Sequence, residues 1–292
     1  MRIWLTNALV IVRGTAALAQ IRRGKKMNTR TKNNFNRIVM AVGYVVLAFG
    51  CLTANAEEWG DIKGSFIFDG EIPAASKINP KKDAAVCGVH NLVDESLVVN
   101  GDNKGIANVI LYLYLGKKDK APAVHESYKE TESAEVTFVN ENCEFNPRVA
   151  LLRTSQTLVI GNKDSIGHNT NMSVLNFNPI VPAEGELKKQ FPKEQRTPVE
   201  VSCNIHPWMK GWVVVKESPY FAVTDEDGKF EIKNVPAGDW TFTVWHEKSG
   251  YVKEVNVGGK AEKWKKGRLK VSVDSGGVDL GEVKVAASMF ED

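Results

Sequence analysis

The sequence contains no Gly-rich phosphate loop, no G-x-S-x-G turn and no H-E-x-x-H helix, so hydrolysis is not predicted, and the chain is not expected to be an enzyme. No long stretch repeats apolar residues at helical spacing, which leaves an all-β fold as the expectation. Acidic residues are missing altogether before Glu57. No apolar run reaches the length of a confident membrane span, because the longest, Ile38 to Leu52, is too short. Histidine and cysteine are scarce too, with five of one and four of the other in 292 residues.

The acid-free start has the layout of a secretory signal. A basic segment from Asn28 to Arg37 precedes the apolar run, and Ala54 and Ala56 supply small residues three and one positions before Glu57. Cleavage is expected after Ala56, with residues 1–56 as the signal peptide and a periplasmic or secreted mature chain in a bacterium. A complete signal of ordinary length begins at Met27, which points to that residue as the true start; a long basic leader is the alternative. Cys51 as a lipidated cysteine is a further alternative, although Ala48, Phe49 and Gly50 make a poor lipobox.

Removing residues 1–56 takes away nine Lys and Arg and no carboxylate. The remaining 236 residues hold 29 basic and 35 acidic side chains, a formal charge of about −6. A nucleic-acid partner or an anionic membrane therefore has no global electrostatic support. Three cysteines remain, Cys87, Cys143 and Cys203, and an oxidising compartment pairs those that lie close. Cys203 sits in a run of potential metal ligands, so the economical assignment is a Cys87–Cys143 disulfide with Cys203 left as a thiolate; a disulfide that consumes Cys203 is the alternative.

Strands are readable at Ile62–Phe68, Ala107–Tyr114, Ala134–Val139, Gln156–Ile160, Val199–Cys203, Gly211–Lys216 and at five further places up to Val285. Tyr220 to Trp245 reads as a three-strand meander, with turns at Asp225–Gly228 and Val235–Gly238. Thr224 to Gly238 (TDEDGKFEIKNVPAG), with Gly60–Gly70 and Gly105–Leu115 far upstream, resembles the carboxypeptidase-regulatory-like, or transthyretin-like, β-sandwich. Roughly 100 residues separate the two matching parts where that family has a short link. This predicts a discontinuous sandwich, 57–129 with 219–288, that carries an inserted domain at 130–218. A simple tandem order is the alternative.

The chemistry is concentrated in Cys203-Asn-Ile-His206-Pro-Trp-Met209, which follows a strand whose Val199 and Val201 alternate inward. A loop with these spacings returns His206 and then Met209 to the sulfur. His168, at the end of the strand Gln156–Ile160 and its turn, can supply a second imidazole. Two imidazoles, one thiolate and a distant thioether suit copper in both oxidation states. Zinc prefers four strong N, S or O donors, for which a thioether is a poor substitute. Met172 is a reserve axial ligand or a packing residue.

This arrangement resembles the type 1 copper proteins, the cupredoxins, and the short ligand loop is most similar to the amicyanin type. Phe145-Asn-Pro147, the apolar Val149–Leu152 and Asn162–Asn169 resemble the F-x-P … N-x-D … H-N passage of that family. The resemblance implies a Greek-key β-sandwich holding one type 1 copper ion. His168, Cys203 and His206 would be the equatorial ligands, Met209 the axial one, and Asn169 a tie to the Cys203 loop. It also implies that Pro207 and Trp208 flank a surface ligand where a redox partner protein docks; capping of the core by Trp208 is the alternative. The whole chain is similar to secreted planctomycete proteins described as methylamine-utilisation-like.

Other features are assigned no function. Cys87-Gly-Val-His90 makes no metal site by itself, His246 is expected at the surface or behind a ligand, and His125 in a solvated loop. Asp225 and Asp227 belong to a hairpin turn rather than a calcium loop. Lys260 to Lys270, with six basic residues around Trp264, reads as a solvated hairpin. The combined expectation is an exported copper protein that carries single electrons, with His206 as the exit. A non-redox binding module and a copper storage or delivery protein are the alternatives.

Overall fold

A computed structural model describes residues 58–291. The expected signal segment, Met27, Cys51 and the cleavage after Ala56 lie outside these residues. The described chain is all-β, with nineteen strands, a one-turn helix at Ala84–Cys87 and four short 3-10 turns. Among the described residues no helix is long and apolar enough to cross a membrane.

Four sheets are layered, with apolar side chains filling the spaces between them. The first contains Lys229–Pro236, Trp59–Asp69, Val278–Ala286, Glu254–Val257 and Lys260–Lys263, in that order. The second is built on Phe221–Val223, Ile110–Leu113 and Gly238–His246, with Arg268–Val273 also paired to the last of these. The third holds Val199–Ser202, Lys210–Lys216 and Val149–Arg153; the fourth holds Glu144–Asn146, Glu135–Glu141, Thr157–Asn162 and Glu186–Lys189.

Side-chain alternation explains the stacking. Leu111 and Leu113 of the second sheet point into a core with Phe66, Phe230 and Val283 of the first. Ile110 and Tyr112 point the other way, against Val149 and Val214 of the third sheet and beside Trp245. Val213 and Val215 then face Phe138, Leu158 and Ile160 of the fourth. The two inner sheets are thus covered on both faces, which is why Ile110–Leu113 and Val213–Val215 are unbroken apolar runs rather than alternating ones. At the junction Arg148 donates two hydrogen bonds to Glu247, of 2.9 and 2.8 Å, and the Trp212 indole N–H donates to the same carboxylate at 2.7 Å.

The expected three-strand meander is not formed. Phe221–Val223 and Gly238–His246 both pair with Ile110–Leu113, while Lys229–Pro236 lies in the opposite sheet against Trp59–Asp69. Alternation tells which residues face a core, and Phe230 and Ile232 do face the same core as Ala222 and Phe242; it carries no information about which side of that core a strand occupies. Two glycines fix the crossing. A Cβ on Gly105 would lie 2.1 Å from the Asp227 carbonyl carbon, and one on Gly228, at φ +75°, 2.3 Å from the Phe66 oxygen. Backbone meets backbone there. Asp225 and Asp227 spend their carboxylates on this turn: Asp225 accepts from the N–H groups of Asp227 and Lys229, and Asp227 pairs with Lys229.

Residues 76–94 form a strap. Ile78 N–H donates to the Leu92 carbonyl and Asp94 N–H to the Ser76 carbonyl, closing its base. The expected division groups this segment with the first sandwich, yet its Ile78, Val86, Cys87 and Leu92 pack into the core between the third and fourth sheets. A Cys87–Cys143 disulfide fastens it there.

Candidate metal centre

The strand Val199–Ser202 buries Val199 and Val201, and the same alternation turns Cys203 inward, where it is 1% exposed. The chain then folds back on itself: Met209 N–H donates to the His206 carbonyl at 2.9 Å and Cys203 N–H to the Met209 carbonyl at 3.2 Å. His206 and Met209 are buried inside this turn. His168 arrives from the other side. The Asn162 amide donates to the carbonyls of Ile166, Val181 and Pro182, which shapes the turn after Thr157–Asn162 and delivers His168 to a two-residue strand against Ile180–Val181.

Three donor atoms converge. Cys203 Sγ lies 3.9 Å from His168 Nδ1 and 3.6 Å from His206 Nδ1, and the two Nδ1 atoms are 2.9 Å apart. The circle through them has a radius of about 2.0 Å, which matches the roughly 2.0–2.3 Å bonds that a first-row metal makes to imidazole nitrogen and thiolate. All three side chains are buried, so these atoms have no solvent to turn to.

Both imidazoles present Nδ1 for the same reason. His168 Nε2 is 2.9 Å from Asp164 Oδ2, and His206 Nε2 is 2.9 Å from Asp83 Oδ2. A carboxylate takes the Nε2 proton in each case, which leaves the Nδ1 lone pairs aimed at the shared centre. Carboxylate behind histidine is the arrangement that orients metal-binding imidazoles and raises their basicity. Asp164 is itself held by the N–H groups of Asn142 and Cys143, at 2.8 and 2.9 Å. Asp83 caps the one-turn helix of the strap, in which Cys87 N–H donates to the Asp83 carbonyl. The two halves of the disulfide therefore adjoin the two carboxylates.

Electrostatics follow from this geometry. Burial opposes charging of His168, but Asp164 and the Cys203 sulfur outweigh it and raise its pKa to about 9. Burial likewise opposes the Cys203 thiolate, and His168 with the surrounding backbone N–H groups brings its pKa below the usual thiol value. His206 moves the other way, lowered by burial despite Asp83. A thiolate is the form of cysteine that binds metal.

Asn169 spans the two loops. Its Oδ1 accepts from Asn204 N–H at 2.7 Å and Ile205 N–H at 3.3 Å and lies 3.4 Å from the Cys203 sulfur. Met172 is buried in the same core as Met209. His206 departs from expectation. It was expected at the surface beside Pro207 and Trp208, but it is fully buried, because the strap covers its Nε2 edge and the Trp208 ring lies tilted against it, 5.2 Å between centroids. Trp208 also donates its indole N–H to the Cys143 carbonyl and is half-buried, while Pro207 is exposed. His246, expected at the surface or behind a ligand, is a core residue at 1% exposure, edge-on to Phe290. His125 caps a short turn through Ser127, and every residue of the strand Lys260–Lys263 is exposed while Trp264 is buried.

Asp83 and Asp164 were missed by sequence reasoning. Asp164 had a signal, since it lies four residues before His168 in a tight turn. Asp83 had none.

No protein-family model and no curated protein sequence matches this chain. Solved structures do. A proline-to-glycine mutant of amicyanin, in its reduced Cu(I) form at pH 4, is 20% identical over 28% of this chain and 82% of its own, with a TM-score of 0.26. A purple cupredoxin from Nitrosopumilus maritimus is 24% identical over 29% of this chain and 100% of its own, at 0.25. A copper-containing nitrite reductase from Thermus scotoductus is 18% identical over 37% of this chain and 26% of its own, at 0.27.

Proposed function

We propose that this is an exported protein that binds one copper ion through His168, Cys203 and His206, with Met209 as a weak fourth ligand, and carries single electrons. The observation that carries the reading is the buried triangle of one sulfur and two nitrogens whose common centre is about 2.0 Å from each. The donor set favours copper. Thiolate and imidazoles serve Cu(I) and Cu(II) alike, and a methionine at the remaining place weakens the case for zinc.

When bound, copper supplies a one-electron couple. The protein's own part is to hold the donors still: Asp164 and Asp83 fix the imidazole tautomers, Asn169 ties the loops, and the disulfide fastens the carboxylate supports. A site fixed in this way reorganises little as an electron comes or goes. An electron carrier of this kind requires a redox partner protein to accept the electron.

Storage or delivery of copper is the second reading, favoured by the complete burial of His206. Loading the mature protein with Cu(II) decides between them. An intense thiolate-to-copper visible band, one copper per chain, loss of the band in Cys203→Ser and reversible voltammetry support electron transfer. Stoichiometric copper without reversible cycling supports storage, and a colourless protein without bound copper overturns both.

A further inference from the structure

The strap changes where an electron can leave. The Nε2 edge of His206 meets the outside at Asp83: the ring is fully buried, its Nε2 is 2.9 Å from Asp83 Oδ2, and the Asp83 side chain is 33% exposed. Around Asp83 the surface is basic and locally apolar. Between residues 72 and 93 the only acid is Asp83 itself, against Lys77, Lys81 and Lys82, in a mature chain whose formal charge is about −6. Lys81 and Lys82 are exposed and form no ion pair among the described residues. Lys82 is near enough to act electrostatically on both Asp83 and His206. Beyond them Ala84, Ala85 and Gly88 are exposed, and Val89 is 67% exposed, one of the few large apolar side chains at the surface.

We propose that the strap face formed by Lys81, Lys82, Ala84, Ala85 and Val89, rather than the Pro207–Trp208 edge, is the docking surface for an acidic protein bearing a one-electron centre, with Asp83 as the link to His206. This rests on the electron-transfer reading above. A small apolar patch with basic residues at its margin is suited to a brief, charge-steered encounter: the lysines orient the partner, and the short side chains let its surface approach the imidazole closely. The disulfide keeps the path at fixed length by tying the strap four residues after Asp83.

The test uses the copper-loaded mature protein in its reduced state and two small oxidants of opposite charge. Each turnover moves one electron and no proton, hexacyanoferrate(III) becoming hexacyanoferrate(II) as copper(I) becomes copper(II); tris(phenanthroline)cobalt(III) is the cationic counterpart. Lys81→Glu/Lys82→Glu should lower the second-order rate with hexacyanoferrate about tenfold or more at low ionic strength. It should raise the rate with the cobalt complex, and both effects should fade near 1 M salt, where the screening length is about 3 Å. The visible band should not change, because neither lysine supports a ligand; the potential is measured alongside, so that the charge of Lys82 acting on His206 is separated from the effect on encounter. Lys210→Glu makes a two-unit charge change beside Pro207 and Trp208, against four units in the double variant, and should shift the logarithm of the rate by less than half as much. The inference is overturned if Lys210→Glu shifts it by half as much as the double variant or more, or if neither oxidant responds to the double variant. If the parent protein shows no thiolate-to-copper band, the electron-transfer reading fails first and takes this inference with it; a normal band with charge-indifferent kinetics refutes the docking surface alone.

Discussion

Replacing Asp164 probes the support of the centre most directly. Its carboxylate accepts from Asn142 N–H, Cys143 N–H and His168 Nε2 at 2.8, 2.9 and 2.9 Å, and it is 8% exposed. Asp164→Ala leaves three donors without their acceptor. At about 1–3 kcal/mol for each buried group that water cannot reach, and with water replacing part of what is lost, unfolding should be easier by roughly 2–5 kcal/mol. In a domain of this size that lowers Tm by about 4–20 °C. Losing the carboxylate behind His168 should also weaken copper binding about 10–100-fold. Asp164→Asn separates the two effects. Its carbonyl keeps one acceptor, so the stability loss should be smaller, while the missing charge keeps most of the affinity loss. Competition titration against a Cu(I) chelator reads the affinity, and thermal unfolding of the metal-free protein reads the stability. The pH dependence provides a third check. Burial raises the Asp164 pKa, but His168 and the two backbone donors outweigh it and hold the carboxyl below its ordinary 3.8. Its contribution is therefore present above pH 3.8 and lost as pH falls through the lowered value, so the gap between parent and Ala variant should close in acid. Copper affinity within threefold of the parent in both variants would refute the reasoning.

Arg148→Ala should cost about 3–5 kcal/mol, because Glu247 would stay buried at 7% exposure with only the Trp212 N–H for company. Arg148→Met combined with Glu247→Leu should recover most of that in denaturant unfolding, and a double variant as unstable as the single one would show that the charge was not the cause. His246 is pushed down to about 4 by burial. The unfolded chain takes up the proton near pH 6.5 while the folded one refuses it, so stability should fall by about 3 kcal/mol between pH 6.5 and 4. His246→Gln should flatten that limb of the stability curve.

The buried cluster of His168, Cys203 and His206 was legible in the sequence because a short loop leaves little freedom: Cys203 and His206 lie three residues apart in it, and one more histidine at a strand end completes the triangle. The strands were legible for a related reason, since a sheet with one solvated face imposes alternation. What alternation cannot encode is partner choice. Val223, Phe230 and Phe242 carry the same signal, yet the middle one belongs to the opposite sheet. Tertiary cover is equally silent. His206 has an exposed-ligand pattern around it, and only the folded chain brings Asp83 onto it from 123 residues upstream. Asp164 lies between these cases, close in sequence to His168 and thus within reach of a local argument.

The strap also bears on how such a centre could be moved between proteins. A fragment cut at 130–218 would keep all four donors, but His206 would lose its carboxylate, Cys143 would lose its partner, and the apolar underside of the strap would leave Phe138 and Leu158 less well covered. The cluster of His168, Cys203 and His206 is therefore not a portable cassette. Transplantation into another host would require residues 76–94 to be supplied as well, so the shortest heritable unit of this site is interrupted, with one piece after the host strand Trp59–Asp69 and the other after Ile110–Leu113.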